Sequence, residues 1–241
     1  PPREAPGAVD SQLATLSTFG LTSDLPVQYQ SQRNALYQAA IHQLLDQGKA
    51  FACHCSRSDL VASGGIHRHC VAAARRPDPA IRLRVPDECE IGFDDLVHGR
   101  VVQRVDVDAG DFVLRRADGL WAYQLAVVVD DAEQGISHVV RGEDLADNTA
   151  RQILLQQVLG ATRPIYLHTP LVLGDNGEKL SKQNGAPALQ LNNEAEALQA
   201  LRAAADCLGL PTQQLTSPRV ADWLAQAVPA WRALLQAQAW A

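Results

Sequence analysis

Trp121-Ala122-Tyr123-Gln124-Leu125-Ala126-Val127-Val128-Val129 is nearly all apolar, and Ser137-His138-Val139-Val140 follows as a short β-branched run. The first stretch reads as a buried strand and the second as the next strand. Residues 148–159 then have helical spacing, with Ile153, Leu154 and Val158 on the inward face. Residues 165–173 are strand-like again. Short buried strands alternating with helices predict an α/β fold with a parallel layer.

Outward from this core the pattern changes twice. Toward the N-terminus, Val9, Leu13, Leu16 and Phe19 share one helical face, and Gly20 ends that helix. A second helix is expected over residues 31–47, burying Leu36, Ala40, Ile41, Leu44 and Leu45, with Gly48 as its cap. Between residues 80 and 116, period-two runs at Ile81-Leu83-Val85, 101–105 and 112–114 predict a small antiparallel insert. Beyond Asn192 the chain is helical, alanine-rich and carries Trp223, Trp231 and Trp240. The organisation expected is therefore a helical part at 1–50, a metal hairpin with its insert at 51–118, a second α/β part at 119–191, and a helical region at 192–241.

With 27 acidic residues against 21 Lys plus Arg, the formal charge is -6 at pH 7. That balance disfavours indiscriminate nucleic-acid binding, which feeds on broad positive charge, but leaves room for a local basic patch. No apolar stretch is long enough to span a bilayer, and Pro1-Pro2-Arg3-Glu4 has no signal-like run behind it. A cytoplasmic monomer with no membrane partner is the expectation.

Three of the five cysteines fall within Cys53 to Cys70, as Cys53-His54-Cys55 and Gly64-Gly65-Ile66-His67-Arg68-His69-Cys70. Such crowding points to a metal cluster in preference to a disulfide framework. Thiolates suit zinc, and a closed four-ligand hairpin is the usual structural arrangement. Cys53, Cys55 and Cys70 supply three ligands, and the fourth is His54, His67 or His69. His67 is preferred, because His69 adjoins Cys70 and would have to fold back sharply. Cys89 and Cys207 are isolated and read as core residues. Arg57, Arg68, Arg75 and Arg76 make the hairpin positive, either to meet an RNA backbone or simply as solvated charges.

Two further constellations suggest a ligand site. Arg141 closes a strand, and ligands of open α/β sheets gather at strand carboxyl ends. There a guanidinium can clamp a carboxylate bidentately, with Tyr123 adding a hydroxyl, so a small anion such as an acidic amino acid is expected. The alternative is that Arg141 pairs with Glu143 or Asp144. Separately, Lys179-Leu180-Ser181-Lys182-Gln183 comes after an apolar run and a glycine-containing turn, Gly174-Asp175-Asn176-Gly177. Two mobile ammonium groups flanking a hydroxyl suit a triphosphate; the bland reading is a solvated hairpin tip.

Taken together, residues 123–131, the segment His138-Val139-Val140-Arg141-Gly142-Glu143-Asp144-Leu145, and Lys179-Leu180-Ser181-Lys182-Gln183 resemble the catalytic domain of class I glutamyl-tRNA synthetases. The last segment is similar to the family's Lys-Met-Ser-Lys-Ser signature. Only 58 residues lie beyond that loop, which resembles the short paralogous family that attaches glutamate to queuosine in tRNA(Asp). The resemblance implies a Rossmann-type class I aminoacyl-tRNA synthetase domain with a zinc-bearing acceptor-stem-like insert and a short helical tail. The family's opening strand and its His-x-Gly-His-like nucleotide signature have no counterpart, and Pro1-Pro2-Arg3-Glu4 resembles the segment just downstream of both. They are expected upstream of Pro1.

By the same resemblance, Tyr123 and Arg141 match glutamate-binding positions. Lys182 matches the ATP-contacting lysine, with Lys179 and Ser181 beside it in the nucleotide loop and Mg2+ accompanying ATP. Where the short paralogues commonly place a tyrosine in their zinc site, His67 stands here. The implied ligase uses ATP, L-glutamate and queuosine-bearing tRNA(Asp). Charging of a tRNA 3′ end, and a non-catalytic zinc-bearing RNA-binding module, are the competing readings.

Overall fold

The computed structural model describes residues 5–174, 177–180, 189, 191 and 193–238. Its chain contacts fall into two units, one of Tyr29–Arg141 with Leu145–His168, the other of Pro1–Gln28, Gly142–Asp144 and Thr169–Ala241. The elements are α1 (Ala8–Thr18), α2 (Asn34–Asp46), β1 (Ala50–Cys53), β2 (Ala80–Leu83), β3 (Glu90–Asp95), β4 (Gly99–Arg104), α3 (Val105–Asp108), β5 (Val113–Arg115), α4 (Tyr123–Glu133), β6 (His138–Gly142), α5 (Thr149–Leu159), β7 (Ile165–Thr169), α6 (Glu194–Cys207) and α7 (Val220–Gln238).

In the first unit, α2 buries Ile41 and Leu44 as expected, with Ala40 and Leu45 half-buried against the core, but Tyr37 is buried in place of the expected Leu36, which is 39% exposed. Tyr37 turns the helix, because its hydroxyl is claimed by Asp130. Gly48, at φ 65°, ends the helix as read from sequence. Strands β1, β2 and β5 form a three-stranded antiparallel sheet in that order. The hairpin of β3 and β4 does not belong to that insert. It joins a four-stranded sheet of order β4-β3-β7-β6, in which β3 meets β7 in parallel at Asp95 and Tyr166.

The principal correction concerns residues 121–129, where helix α4 begins at Tyr123 and no strand forms. The run has no legible period because α4 is covered on most sides, packing on α2 and α5 with Gln124, Leu125, Ala126, Val128 and Asp130 all buried. An apolar run of that length leaves helix and strand undecided; here tertiary burial overrides the β preference of three valines. β7 stops at Thr169, since Pro170 cannot donate to a ladder. Leu44, Leu83, Val105, Leu114, Leu125, Ile153 and Leu155 are fully shielded, each contributing roughly 2 kcal/mol of burial.

In the second unit, α1 buries none of its residues; Phe19, just past its end, does so against Ala197, Leu198 and Trp223. α6 starts on a reciprocal cap, Asn193 Oδ1 accepting from Glu196 N at 3.0 Å while Nδ2 donates to Oε1 at 3.2 Å. Trp223, 1% exposed, donates its indole N–H to the Leu215 carbonyl. Cys207 is exposed and not in the core as expected, because it lies at the last position of α6; Cys89 is half-buried. Trp240 lies outside the described residues. Among those described, no helix is long and apolar enough to cross a membrane.

Candidate functional site

Strand β1 delivers Cys53 to the end of the small sheet, and the chain then bends to present Cys55. A short 3-10 turn at Ser58–Ser63 leads into Gly64 and Gly65, both left-handed at φ 63° and 86°, which turn the chain back. His67 is held by its main chain: its carbonyl accepts from Asp111 N at 2.7 Å. The donor atoms of Cys53, Cys55, His67 and Cys70 all lie within 4.8 Å of one another. His54 is turned elsewhere, its Nδ1 accepting from Arg76 N at 2.9 Å.

The ring of His67 is oriented from behind. Nδ1 lies 2.9 Å from Asp111 Oδ2, and Nε2 faces Cys53 Sγ at 3.3 Å. Asp111 also accepts from Val85 N at 2.8 Å, which anchors the carboxylate to the strand side. The Cys55 sulfur accepts from Val71 N at 3.3 Å. Burial and then the neighbouring Cys53 sulfur push the Cys70 thiol up to about 11. Tetrahedral ligation separates sulfurs by about 3.8 Å and sulfur from nitrogen by about 3.5 Å, so closure onto an ion needs shifts of no more than about 1 Å. The residues fit a closed metal site with no vacant position. Around it, Arg57, Arg75 and Arg76 are exposed, while Arg68 pairs with Asp87 and donates to the Val85 carbonyl at 3.2 Å.

Elsewhere in the unit, β6 carries Arg141 near its C-terminal end. Its Nε donates to His168 Nε2 at 3.1 Å, Nη1 to Gln152 Oε1 at 2.7 Å, and Nη2 to Thr149 Oγ1 at 2.8 Å. The guanidinium carbon sits 5.6 Å from the Tyr166 ring centroid. Gln152 passes the polarity on, donating to Gln124 Oε1 at 2.9 Å, and Gln124 donates to Asn148 Oδ1 at 2.6 Å. Gln124 directly follows Tyr123, the first residue of α4, which is 47% exposed.

Helix α4 is fixed by an ionic hub. Asp130 accepts from Arg33 Nε at 2.7 Å, Tyr37 Oη at 2.8 Å and Gln30 Nε2 at 2.9 Å, and Arg33 also reaches Glu133 at 2.8 Å. Bonds to Glu133 and Asp130 hold the Arg33 guanidinium protonated well above its ordinary range. Sequence reasoning did not single out Asp95, Asp111 or His168. The signal available was a charged or imidazole side chain inside an otherwise apolar run, as with His168 in Ile165–Thr169.

In the second unit, an antiparallel bridge pairs Leu173 with Lys179, and Leu180 N donates to the Val172 carbonyl at 2.8 Å. Lys179 pairs with Asp144. Ser181 and Lys182, also expected in the nucleotide site, lie outside the described residues.

Residues 1–211 match the family model for the catalytic domain of class I tRNA synthetases (E and Q). A glutamyl-Q tRNA(Asp) synthetase of Xanthomonas oryzae pv. oryzae is 60% identical over 211 residues, covering 87% of this chain and 69% of that protein. One of the same name from Burkholderia cenocepacia is 48% identical over 244 residues, covering 95% and 81%. Among solved structures, a glutamate tRNA ligase from Elizabethkingia meningosepticum, in complex with its amino acid, superposes with a TM-score of 0.65 at 25% identity. That match covers 76% of this chain and 43% of the solved ligase, so the chain spans less than half of that protein's length.

Proposed function

The chain belongs to the class I tRNA synthetases for glutamate and glutamine, and from that membership we propose that it activates L-glutamate with ATP and transfers it to queuosine in tRNA(Asp). The observation that carries the substrate assignment is Arg141, a guanidinium fixed by three side-chain acceptors at a strand end of a Rossmann-like sheet. The names of the relatives carry the choice of tRNA.

In the first step an oxygen of the glutamate α-carboxylate attacks the α-phosphorus of ATP, and the bond to pyrophosphate breaks. The nucleophile is already ionised, so the protein's work is positioning and charge stabilisation. Arg141 takes the side-chain carboxylate and Tyr123 offers its hydroxyl, leaving the α-carboxylate to react. Lys179, Ser181 and Lys182 are assigned to the nucleotide, which arrives with its Mg2+. In the second step a hydroxyl of the queuosine cyclopentenediol attacks the acyl carbon, AMP leaves, and the hydroxyl proton passes to solvent. The mixed anhydride supplies the driving force.

Cys53, Cys55, His67 and Cys70 are read as a zinc site, since three thiolates and an imidazole are donors zinc favours. A zinc ion there would hold the hairpin in shape and take no part in either step. A cytoplasmic enzyme is consistent with these substrates.

The test is glutamate-dependent exchange of pyrophosphate into ATP, followed by glutamylation of tRNA(Asp) with and without queuosine and of tRNA(Glu). Exchange together with glutamylation only of queuosine-bearing tRNA(Asp) is expected. Charging of tRNA(Glu) in its place would move the protein to 3′-end aminoacylation, and absence of exchange by the full-length protein would leave a binding module.

A further inference from the structure

Arg141 rests on a residue that neither the mechanism above nor the relatives' names assign. His168 on β7 is wholly shielded from solvent, as is Thr149 beside it, and Asp95 behind it is 4% exposed. A buried imidazole between a carboxylate and a guanidinium has few permissible states, and hydrogen-bond chemistry selects among them.

Arginine carries donors only and does not lose its proton in a protein. Since Arg141 Nε points at His168 Nε2 from 3.1 Å, that nitrogen must present its lone pair. The ring proton therefore sits on Nδ1, where it donates to Asp95 Oδ2 at 2.6 Å. Asp95 is in turn saturated by main-chain donors: Val97 N and His98 N at 3.0 Å each, and His168 N at 3.1 Å. Burial alone would raise the Asp95 carboxyl, but these N–H groups and the imidazole hold it below its usual range. The His168 ring also stacks on Tyr166, 6.3 Å between centroids and 7° between planes, which fixes its tilt. The same rule sets the rest of the network. Gln152 must turn its oxygen to Arg141, so its amide donates to Gln124, and Thr149, accepting from Nη2, has its own proton for His168 Nε2 at 3.2 Å.

We propose that His168, held as its Nδ1–H tautomer by Asp95, is a positioning residue that sets the plane of Arg141 for a carboxylate substrate. This rests on the reading of Arg141 as the group that binds glutamate. The imidazole never touches substrate; it supplies the acceptor that meets Nε, while Gln152 and Thr149 accept from the two terminal nitrogens. Removing it would free the guanidinium to swing about the Gln152 and Thr149 contacts. The loss would fall on glutamate affinity and not on the chemical step.

The experiment compares His168→Leu, which fills the space without an acceptor, with His168→Gln, whose amide oxygen can accept from Nε. Both are assayed in the full-length protein by glutamate-dependent pyrophosphate exchange, with glutamate binding followed calorimetrically and folding by thermal melts. His168→Leu is expected to raise the KM for glutamate about 10- to 100-fold, with the KM for ATP and kcat within about threefold of the parent. His168→Gln should recover most of that loss. Equal behaviour of the two variants, or losses spread over kcat and the KM for ATP, would overturn the proposal in favour of a purely structural histidine.

Arg141→Lys in the same assay separates the two readings. If it leaves the KM for glutamate unchanged, the assignment of Arg141 fails and takes the proposal with it. If it raises that KM while His168→Leu does not, only the role of His168 fails. Should His168→Leu not fold, the isosteric Thr149→Val removes a second acceptor from the same guanidinium and must show the same selective rise in the KM for glutamate.

Discussion

Gly110 lies so close to His67 that a β-carbon on it would stand 2.4 Å from the His67 carbonyl oxygen and 2.7 Å from Ile66 Cγ2. The two residues form an isolated parallel bridge, and Gly110 itself has φ 61°. A backbone contact thus presses the candidate ligand into place, with Asp111, the next residue, holding its ring.

Gly110→Ala combines a clash against backbone with a left-handed conformation that alanine disfavours. It should cost about 2–4 kcal/mol in urea unfolding. Because His67 is displaced, metal content after purification should fall as well. A variant with parental stability and metal content would show that the loop yields freely.

Asp111 should matter to metal affinity more than to folding. Asp111→Ala leaves His67 Nδ1 without its acceptor, and loss of such an outer contact costs about 10- to 100-fold in affinity. Asp111→Asn keeps an oxygen for the imidazole and should lie between the two. Competition with a chromophoric chelator measures both. In the parent, stripping the metal should lower the melting temperature, and an unchanged melt would contradict a structural ion.

The parts of this architecture that are legible in sequence are those with short-range causes. Cys53, Cys55, His67 and Cys70 announce themselves by residue type and crowding, β6 by its β-branched run and α5 by its helical spacing. The apolar run of α4 reads as a strand because burial on most sides erases the very alternation that distinguishes strand from helix. β3 escapes because Glu90-Ile91-Gly92-Phe93-Asp94-Asp95 looks polar, although Ile91 and Phe93 bury one face. Arg141 is visible as a strand-end cation. Its holders, His168, Gln152 and Thr149, stand 27, 11 and 8 positions away, and no local pattern joins them.

Tyr37 gives a pH-dependent stability contribution of known sign. Burial, then its hydrogen bond to Asp130, raises the phenol to about 12 in the folded protein, from 10.0. The folded state keeps the proton more tightly than the unfolded chain. Its contribution is therefore complete below pH 10 and lost as pH rises from about 10 to about 12. Tyr37→Phe removes one donor to Asp130 and should destabilise by about 1–2 kcal/mol near neutrality. The stability gap between parent and variant should narrow across that alkaline window. A gap that widens there would reverse the assigned sign.

Gly142 offers a test of the Lys179 loop that leaves Arg141 untouched. A β-carbon there would stand 2.6 Å from Asp144 Oδ1 and 3.3 Å from Leu171 Cδ2. The nearer atom is a side-chain tip that can rotate away, so Gly142→Ala should cost no more than about 1 kcal/mol of stability. Rotation, however, takes the carboxylate from Lys179, with which it pairs. If that loop handles the nucleotide, the KM for ATP should rise several-fold while the KM for glutamate stays put. Asp144→Ala should reproduce the effect. The double variant should then be no worse than either single one, because both act through the same carboxylate. Additive losses would mean that the glycine works by another route, and a rise confined to the KM for glutamate would detach the loop from ATP.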